Sequence, residues 1–289
     1  MNTIDMIAVD DLFGIEGLDI TWYGVIIAVA IAAGVLLACW RAVKMGYTTE
    51  LIFDMMIVAL PLSIVGARLY FVAFEWDYYS QHPGEIIAIW KGGIAIIGAI
   101  IGGVLGALIV AKVRKFPFGR LLDIAAPGLI LGQAIGRWGN FVNQEAFGLQ
   151  ITNPDLQFFP FGVYIDNQIV GGRAIEGEWY LATFFYECVW NIGILFLLLW
   201  YSKKARHDGN VFAMYLIGYG AGRIWIEGLR IQTLQLWGMP VSQLLSGVMI
   251  VVGVAYILIM RKRGKPNVDY EGVYLKGWKE KQEGTGQKT

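Results

Sequence analysis

Histidine and cysteine are scarce in this chain of 289 residues, with two of each. His82 and His207 lie far apart in loop-like sequence, so a histidine metal centre has almost nothing to be built from. Cys39 and Cys188 sit inside apolar runs, where isolated thiols act as packing residues, so neither a disulfide nor a metal site is expected. Charge is also sparse. Charged residues make up 16% of the chain against 56% hydrophobic, which excludes an ordinary soluble composition and points to a membrane protein. No Lys or Arg precedes the first apolar run, whereas Asp5, Asp10, Asp11, Glu16 and Asp19 do. A cleaved signal peptide wants a basic start, so none is expected. There is no evident internal repeat of the kind that transporter halves often carry.

What is present is apolar sequence in long runs, at about 21–40, 51–73, 93–112, 119–136, 183–200, 211–228 and 241–260. A crossing helix needs roughly 20 mainly apolar residues, and these runs lack the alternation of a membrane barrel. The expected fold is an all-α integral membrane protein. It has seven transmembrane helices in residues 1–264, a small extracytoplasmic cap over about 146–182 between the fourth and fifth helices, and a disordered cytoplasmic tail over 265–289. Turn signals around short apolar pieces in the insert suggest strands or loops. The tail is expected to be disordered because it is polar and rich in Gly and Lys.

Basic residues fall in alternate connections: Arg41 and Lys44; Lys112, Arg114, Lys115 and Arg120; Lys203, Lys204 and Arg206; Arg261, Lys262, Arg263 and Lys265. The intervening connections are acidic or poor in Lys and Arg. The positive-inside rule therefore predicts an extracytoplasmic N-terminus and a cytoplasmic C-terminus. The zero net charge carries no information on partners, because the asymmetry lies across the membrane.

Glycines recur every four residues at 98, 102 and 106, and again at 128, 132 and 136. That spacing puts them on one helix face and lets neighbouring backbones approach closely. The second ladder runs straight into Gly136-Arg137-Trp138-Gly139-Asn140-Phe141-Val142-Asn143-Gln144-Glu145. Charge at membrane depth is costly and marks functional candidates. Arg68, Arg137, Arg223 and Arg230 all belong to helices ending towards the outside, with few carboxylates nearby. Arg223 and Glu227 are four apart and able to pair, which by itself serves equally as a device for burying two charges. Together the arginines suit a phosphate, which a guanidinium grips bidentately, and a phospholipid headgroup is the phosphate at hand. Asn140 and Asn143 fit glycerol hydroxyls or an extended peptide, or equally a helix cap or turn. Trp22, Trp76, Tyr78, Tyr79 and Trp90 read as interfacial anchors, while Tyr23 at the outer end of the first helix is open to a site role.

On these residues the chain resembles the bacterial phosphatidylglycerol–prolipoprotein diacylglyceryl transferases. The resemblance rests on the run from Gly136 to Gly148, and on Trp22-Tyr23-Gly24, Gly66-Ala67-Arg68, Trp90-Lys91-Gly92-Gly93, Asp123 to Pro127, and Tyr219 to Glu227. These motifs occur in family order over roughly residues 20–260. The resemblance implies that a lipobox cysteine thiol attacks the glycerol carbon of phosphatidylglycerol, forming a thioether and releasing glycerol-1-phosphate. It implies catalytic roles for Arg137, Arg223, Tyr23 and Glu227. Lipid or peptide binding would fall to Arg137, Asn140, Asn143, Glu145, Gly148, Arg68, Tyr219 and Arg230. The implied partners are phosphatidylglycerol, signal peptides of prolipoproteins and the bilayer of a bacterial cell membrane, with no nucleic acid, cofactor or metal.

Two positions depart from the family pattern. A histidine that many members carry after the Gly-Gly pair is replaced in Ile97-Gly98-Ala99, and a second is replaced by Leu181 in Leu181-Ala182-Thr183-Phe184-Phe185-Tyr186-Glu187. Either arginines and water manage the thiol proton, or the chain keeps the lipid site without the chemistry. A lipid or anion transporter is a further alternative, but it would want broken helices in matching halves.

Overall fold

The computed structural model describes residues 7–9, 20–166, 168–170, 173–175, 177–231, 235–236, 239–264, 267 and 269–278. Asp5, Asp10, Asp11, Glu16 and Asp19, the Gly171-Gly172 turn, Glu176 and Lys265 lie outside the described residues. In chain order come strands β1 (Ile7–Val9) and β2 (Ile20–Thr21), then helices α1 (Trp22–Lys44) and α2 (Glu50–Phe74) and the single turn α3 (Trp76–Tyr79). They are followed by α4 (Ile96–Val113), α5 (Phe118–Val142) and strands β3 (Gly162–Ile165), β4 (Gln168–Val170), β5 (Arg173–Ile175) and β6 (Glu178–Leu181). Helices α6 (Thr183–Tyr201) and α7 (Asn210–Glu227), strands β7 (Gln235–Leu236) and β8 (Met239–Pro240), and α8 (Val241–Arg263) complete the chain.

Six of these helices, α1, α2, α4, α5, α6 and α8, have the length and apolarity to cross a bilayer, as expected of a multi-pass membrane protein. The seventh expected span, α7, is 18 residues long but falls outside this set. Asn210, Arg223 and Glu227 dilute its apolarity. Helix α5 also runs past its expected end at 136 to Val142, carrying Arg137 and Asn140 on helical backbone. The chain then turns sharply. Gln144 and Ala146 adopt φ of 50° and 57°, and the Glu145 amide closes back on the Asn140 carbonyl at 2.9 Å.

The chain divides into two compact units, Met1–Leu37 with Ala125–Pro266, and Ala38–Ile124 with Asn267–Thr289. In the second unit α2 and α4 pack through the first glycine ladder. A Cβ at Gly98 or Gly102 would collide with the carbonyls of Gly66 and Leu62, and one at Gly106 with Ala59. The expected close approach is therefore made by backbone against backbone. Part of the tail corrects its expected disorder. Tyr274 is 1% exposed, packs with Tyr270 and Phe116, and donates a 2.7 Å hydrogen bond to Asp54 Oδ2. Two tyrosines bury enough area to order a segment that is otherwise polar; residues 279–289 lie outside the described residues.

In the first unit, Ala126 and Ile130 of α5, Ile194, Leu195 and Leu198 of α6, and Val211 and Tyr215 of α7 form a buried core. The second glycine ladder faces α1. A Cβ at Gly34 would lie 2.8 Å from the Gly128 carbonyl, and Gly132 meets Ala30. In the insert, β3 pairs antiparallel with β6 over a small core of Phe147, Ile165 and Tyr180, and β4 pairs antiparallel with β5.

Candidate functional site

Helix α6 carries one carboxylate among its apolar residues, Glu187, and it is 1% exposed. Three guanidiniums converge on it. Arg137 Nη2 of α5 lies 2.6 Å from Oε1, while Arg223 Nη1 of α7 and Arg230 Nη2, three residues beyond α7, lie 3.2 and 3.3 Å from Oε2. Glu227 Oε2 closes the ring at 2.7 Å from Arg223 Nη2 and 3.4 Å from Arg230 Nη1. Among the described residues, three arginines are thus held by two carboxylates, which leaves one positive charge. Burial, and then the guanidiniums of Arg137 and Arg223, hold the pKa of Arg230 below its ordinary value.

The arrangement follows from helix geometry. Arg223 and Glu227 are four residues apart on one face of α7, and the turn that follows, closed by the Arg230 amide on the Glu227 carbonyl at 3.2 Å, brings Arg230 back to them. Gly222 makes room beside them, because a Cβ there would strike the Trp190 indole. Trp190 Nε1 in turn donates to the Gly218 carbonyl at 2.9 Å, which locks α6 to α7 next to the charges.

A polar string leads outward from the cluster. Arg137 Nη1 donates to Asn140 Oδ1 at 3.2 Å, and Asn140 Nδ2 donates to Glu145 Oε1 at 2.8 Å. Gln144 then exchanges two hydrogen bonds with Asp166, its Nε2 to Oδ2 at 2.9 Å and its Oε1 from the Asp166 amide at 3.0 Å, which ties the end of α5 to the insert. Tyr23 packs its ring on Gly139, where a Cβ would come within 2.8 Å. Tyr219 stacks on Tyr215, centroids 5.8 Å apart, one helical turn from Arg223. Asn143 donates its backbone amide to the Gly139 carbonyl.

Of the residues singled out from sequence, Arg223, Glu227 and Arg230 meet directly, Arg137 joins them through Glu187, and Asn140 and Glu145 follow through hydrogen bonds from Arg137. Two others are occupied differently. Arg68 belongs to the second unit and donates to four backbone carbonyls, Glu85, Ile86, Gly92 and Gly93, at 2.7–2.8 Å. Four of its five N–H groups are spent on holding the 85–93 segment, so the expected phosphate contact gives way to a loop clamp. Gly148 is a packing position. Its amide bonds the Leu181 carbonyl at 2.9 Å, and a Cβ would crowd Leu181, Thr183 and the Leu229 carbonyl. Ile97 lies in the second unit and Leu181 in the first.

Glu187 is the residue that sequence reasoning left unassigned, and its presence corrects the expectation of arginines with few carboxylates nearby. The signal was there, since an acidic residue within an apolar run is itself a functional marker. Asn191, one turn further along α6, is fully buried, and among the described residues neither of its amide atoms has a hydrogen-bond partner.

A multi-pass membrane protein with a buried cationic cluster is the class that this fold and site define. The sequence profile of the family described as prolipoprotein diacylglyceryl transferase matches residues 10–259. The phosphatidylglycerol–prolipoprotein diacylglyceryl transferase of Listeria welshimeri is 45% identical over 266 residues, covering 91% of this chain and 94% of that protein. Proteins of the same name from Geobacillus kaustophilus and Bacillus mycoides are 42% and 41% identical, covering 87% and 86% of this chain and 92% and 91% of theirs. The chain belongs to the prolipoprotein diacylglyceryl transferase family.

Proposed function

We propose that this protein transfers the diacylglyceryl group of phosphatidylglycerol to the lipobox cysteine of prolipoproteins. The observation that carries this reading is the surplus guanidinium charge of Arg137, Arg223 and Arg230, anchored on Glu187 between helices. An anion is the ligand such a site lacks, and a phosphodiester headgroup supplies it at membrane depth.

In this reading the thiolate sulfur attacks the glycerol carbon and the carbon–oxygen bond to phosphate breaks. The electron pair stays on the departing oxygen, and glycerol-1-phosphate leaves. Arg137 and Arg223 hold the phosphate, with Arg223 nearer the leaving oxygen, where they stabilise the charge that develops. Nearby cations also lower the pKa of a thiol, which is about 8.5 when free. The thiol proton passes to water as the thiolate forms, and the phosphate monoester, whose second pKa is about 6, leaves mainly as its dianion at neutral pH. Transfer therefore balances with leucine and isoleucine at the two family histidine positions. Glu227 orients Arg223, Glu187 fixes the spacing of all three arginines, and Arg230 completes the cationic rim. Asn140, Asn143 and Glu145 receive the headgroup or peptide, while Tyr23 and Tyr219 line the site.

The same reading takes α7 as a seventh crossing, its Arg223 paired with Glu227 and Glu187. It places the N-terminus and the 146–182 insert on the extracytoplasmic side and the C-terminus in the cytoplasm of a bacterial cell. Ile97 and Leu181 favour one rival, a protein that binds the lipid without transferring it.

Purified protein, phosphatidylglycerol vesicles and a lipobox peptide, followed by mass spectrometry for diacylglyceryl-cysteine, separate the two. Product that disappears in Arg137→Ala and Arg223→Ala supports transfer. Near-normal product in both variants rules out the phosphate clamp, and lipid binding without product favours the rival.

A further inference from the structure

An apolar cavity of about 480 Å³ opens between α6 and α7, lined by Phe185, Tyr186, Val189, Trp190, Gly193 and Trp225 among others. It adjoins the charge cluster. Tyr186 precedes Glu187, Trp190 lies against Gly222 beside Arg223, and Trp225 is two residues beyond Arg223. Successive helical residues point about 100° apart, so α6 presents its carboxylate inward and this groove on the adjoining face.

We propose that the groove holds one acyl chain of the phospholipid whose headgroup the arginines bind; the assignment rests on the phosphate role given to that cluster. Three observations favour this occupant. The walls include two tryptophans in edge-to-face contact, 6.0 Å between centroids, and the indole N–H of Trp190 is already bonded to the Gly218 carbonyl, so the lining a chain meets is almost wholly apolar. Gly193 forms part of the lining with nothing within 4 Å of a Cβ built there, so its missing side chain serves the open space rather than helix packing. The volume also bears on the occupant: 480 Å³ holds little more than one turn of a helix about 10 Å across, which fills roughly 400 Å³, far short of the several turns of a signal peptide's apolar helix, whereas a single hydrocarbon chain is much thinner. Gly193 lies six residues beyond Glu187, about 9 Å deeper along the helix axis, so carbons well down the chain reach it.

Gly193→Leu places a branched side chain into the groove at that depth, from a Cβ that meets nothing within 4 Å. Transfer to a lipobox peptide is compared for dihexadecanoyl and didecanoyl phosphatidylglycerol in micelles of fixed composition. The expected result is a fall of about tenfold in the kcat/KM ratio of the long donor to the short one, from a few displaced methylenes. An unchanged ratio overturns the proposal. A second arm uses wild-type protein and phosphatidylglycerol with a diazirine at the chain terminus, whether or not the leucine variant is active. Labelling of Val189, Trp190 or Trp225 that unlabelled phosphatidylglycerol displaces and phosphatidylcholine does not supports the site. Labelling elsewhere, labelling displaced equally by both lipids, or labelling of the groove by a diazirine in the peptide instead overturns it. Absence of transfer in the wild type overturns the transferase reading alone, because the labelling arm still reports on the groove.

Discussion

Replacing Glu187 by Gln tests the architecture of the site at its centre. Glutamine keeps the volume and one carbonyl acceptor but removes the charge that three guanidinium nitrogens approach at 2.6, 3.2 and 3.3 Å. The cluster then passes from one surplus positive charge to two. Breaking a buried ion pair by removing one partner costs about 3–5 kcal/mol, because the other charge stays buried and uncompensated. For a chain of this size that corresponds to a fall of roughly 10 °C in the unfolding midpoint in detergent. Transfer should fall more steeply, by about 100-fold or more in kcat, since the arginines lose their common anchor and with it their aim at the departing phosphate. Phosphate binding should persist, because the site is more cationic than before. Sulfate or phosphate should accordingly raise the midpoint of Glu187→Gln by more than that of the wild type. A variant with an unchanged midpoint and normal thioether formation would refute the view that Glu187 organises the arginines.

Gly222→Ala drives a methyl group into the Trp190 indole and should lower stability by about 1–3 kcal/mol and reduce transfer through displacement of Arg223; calorimetry and the thioether assay check both. Arg68→Lys keeps a charge but cannot span four carbonyls with a single ammonium, so amide exchange in residues 85–93 should accelerate, with a stability loss of about 2 kcal/mol. Burial, and then its bond to Asp54, raise the pKa of the Tyr274 phenol above its ordinary value of about 10. A raised acid contributes stability that is complete below the ordinary pKa and is lost as pH climbs towards the folded one. Protease protection of the segment around Tyr274 should therefore hold at neutral pH and decay above about pH 10, and Tyr274→Phe should remove that dependence.

The membrane character of this chain was legible in its sequence because it depends on local quantities. Runs of apolar residues long enough to cross a bilayer must be helical wherever they fold, and six of the expected helices meet that condition. The glycine ladders were legible for the same reason, since a four-residue spacing selects one helix face whatever lies opposite it. Arg137, Arg223 and Glu227 announced themselves as charges in apolar surroundings. Pairings between distant segments were not readable. Glu187 is 36 residues from Arg223 and 43 from Arg230 along the chain, and only the packing of α6 against its neighbours makes it their shared counter-ion. Arg68 looked like Arg137 in sequence, yet the folding back of residues 85–93 saturates it with carbonyls. The tail looked disordered by composition, and two tyrosines finding a pocket decided otherwise. Sequence by itself determined which segments must be helical and which charges need partners, because desolvation acts on each residue alone. The tertiary structure decided which charges satisfy one another, because an ion pair depends on distances that spacing along a chain does not contain.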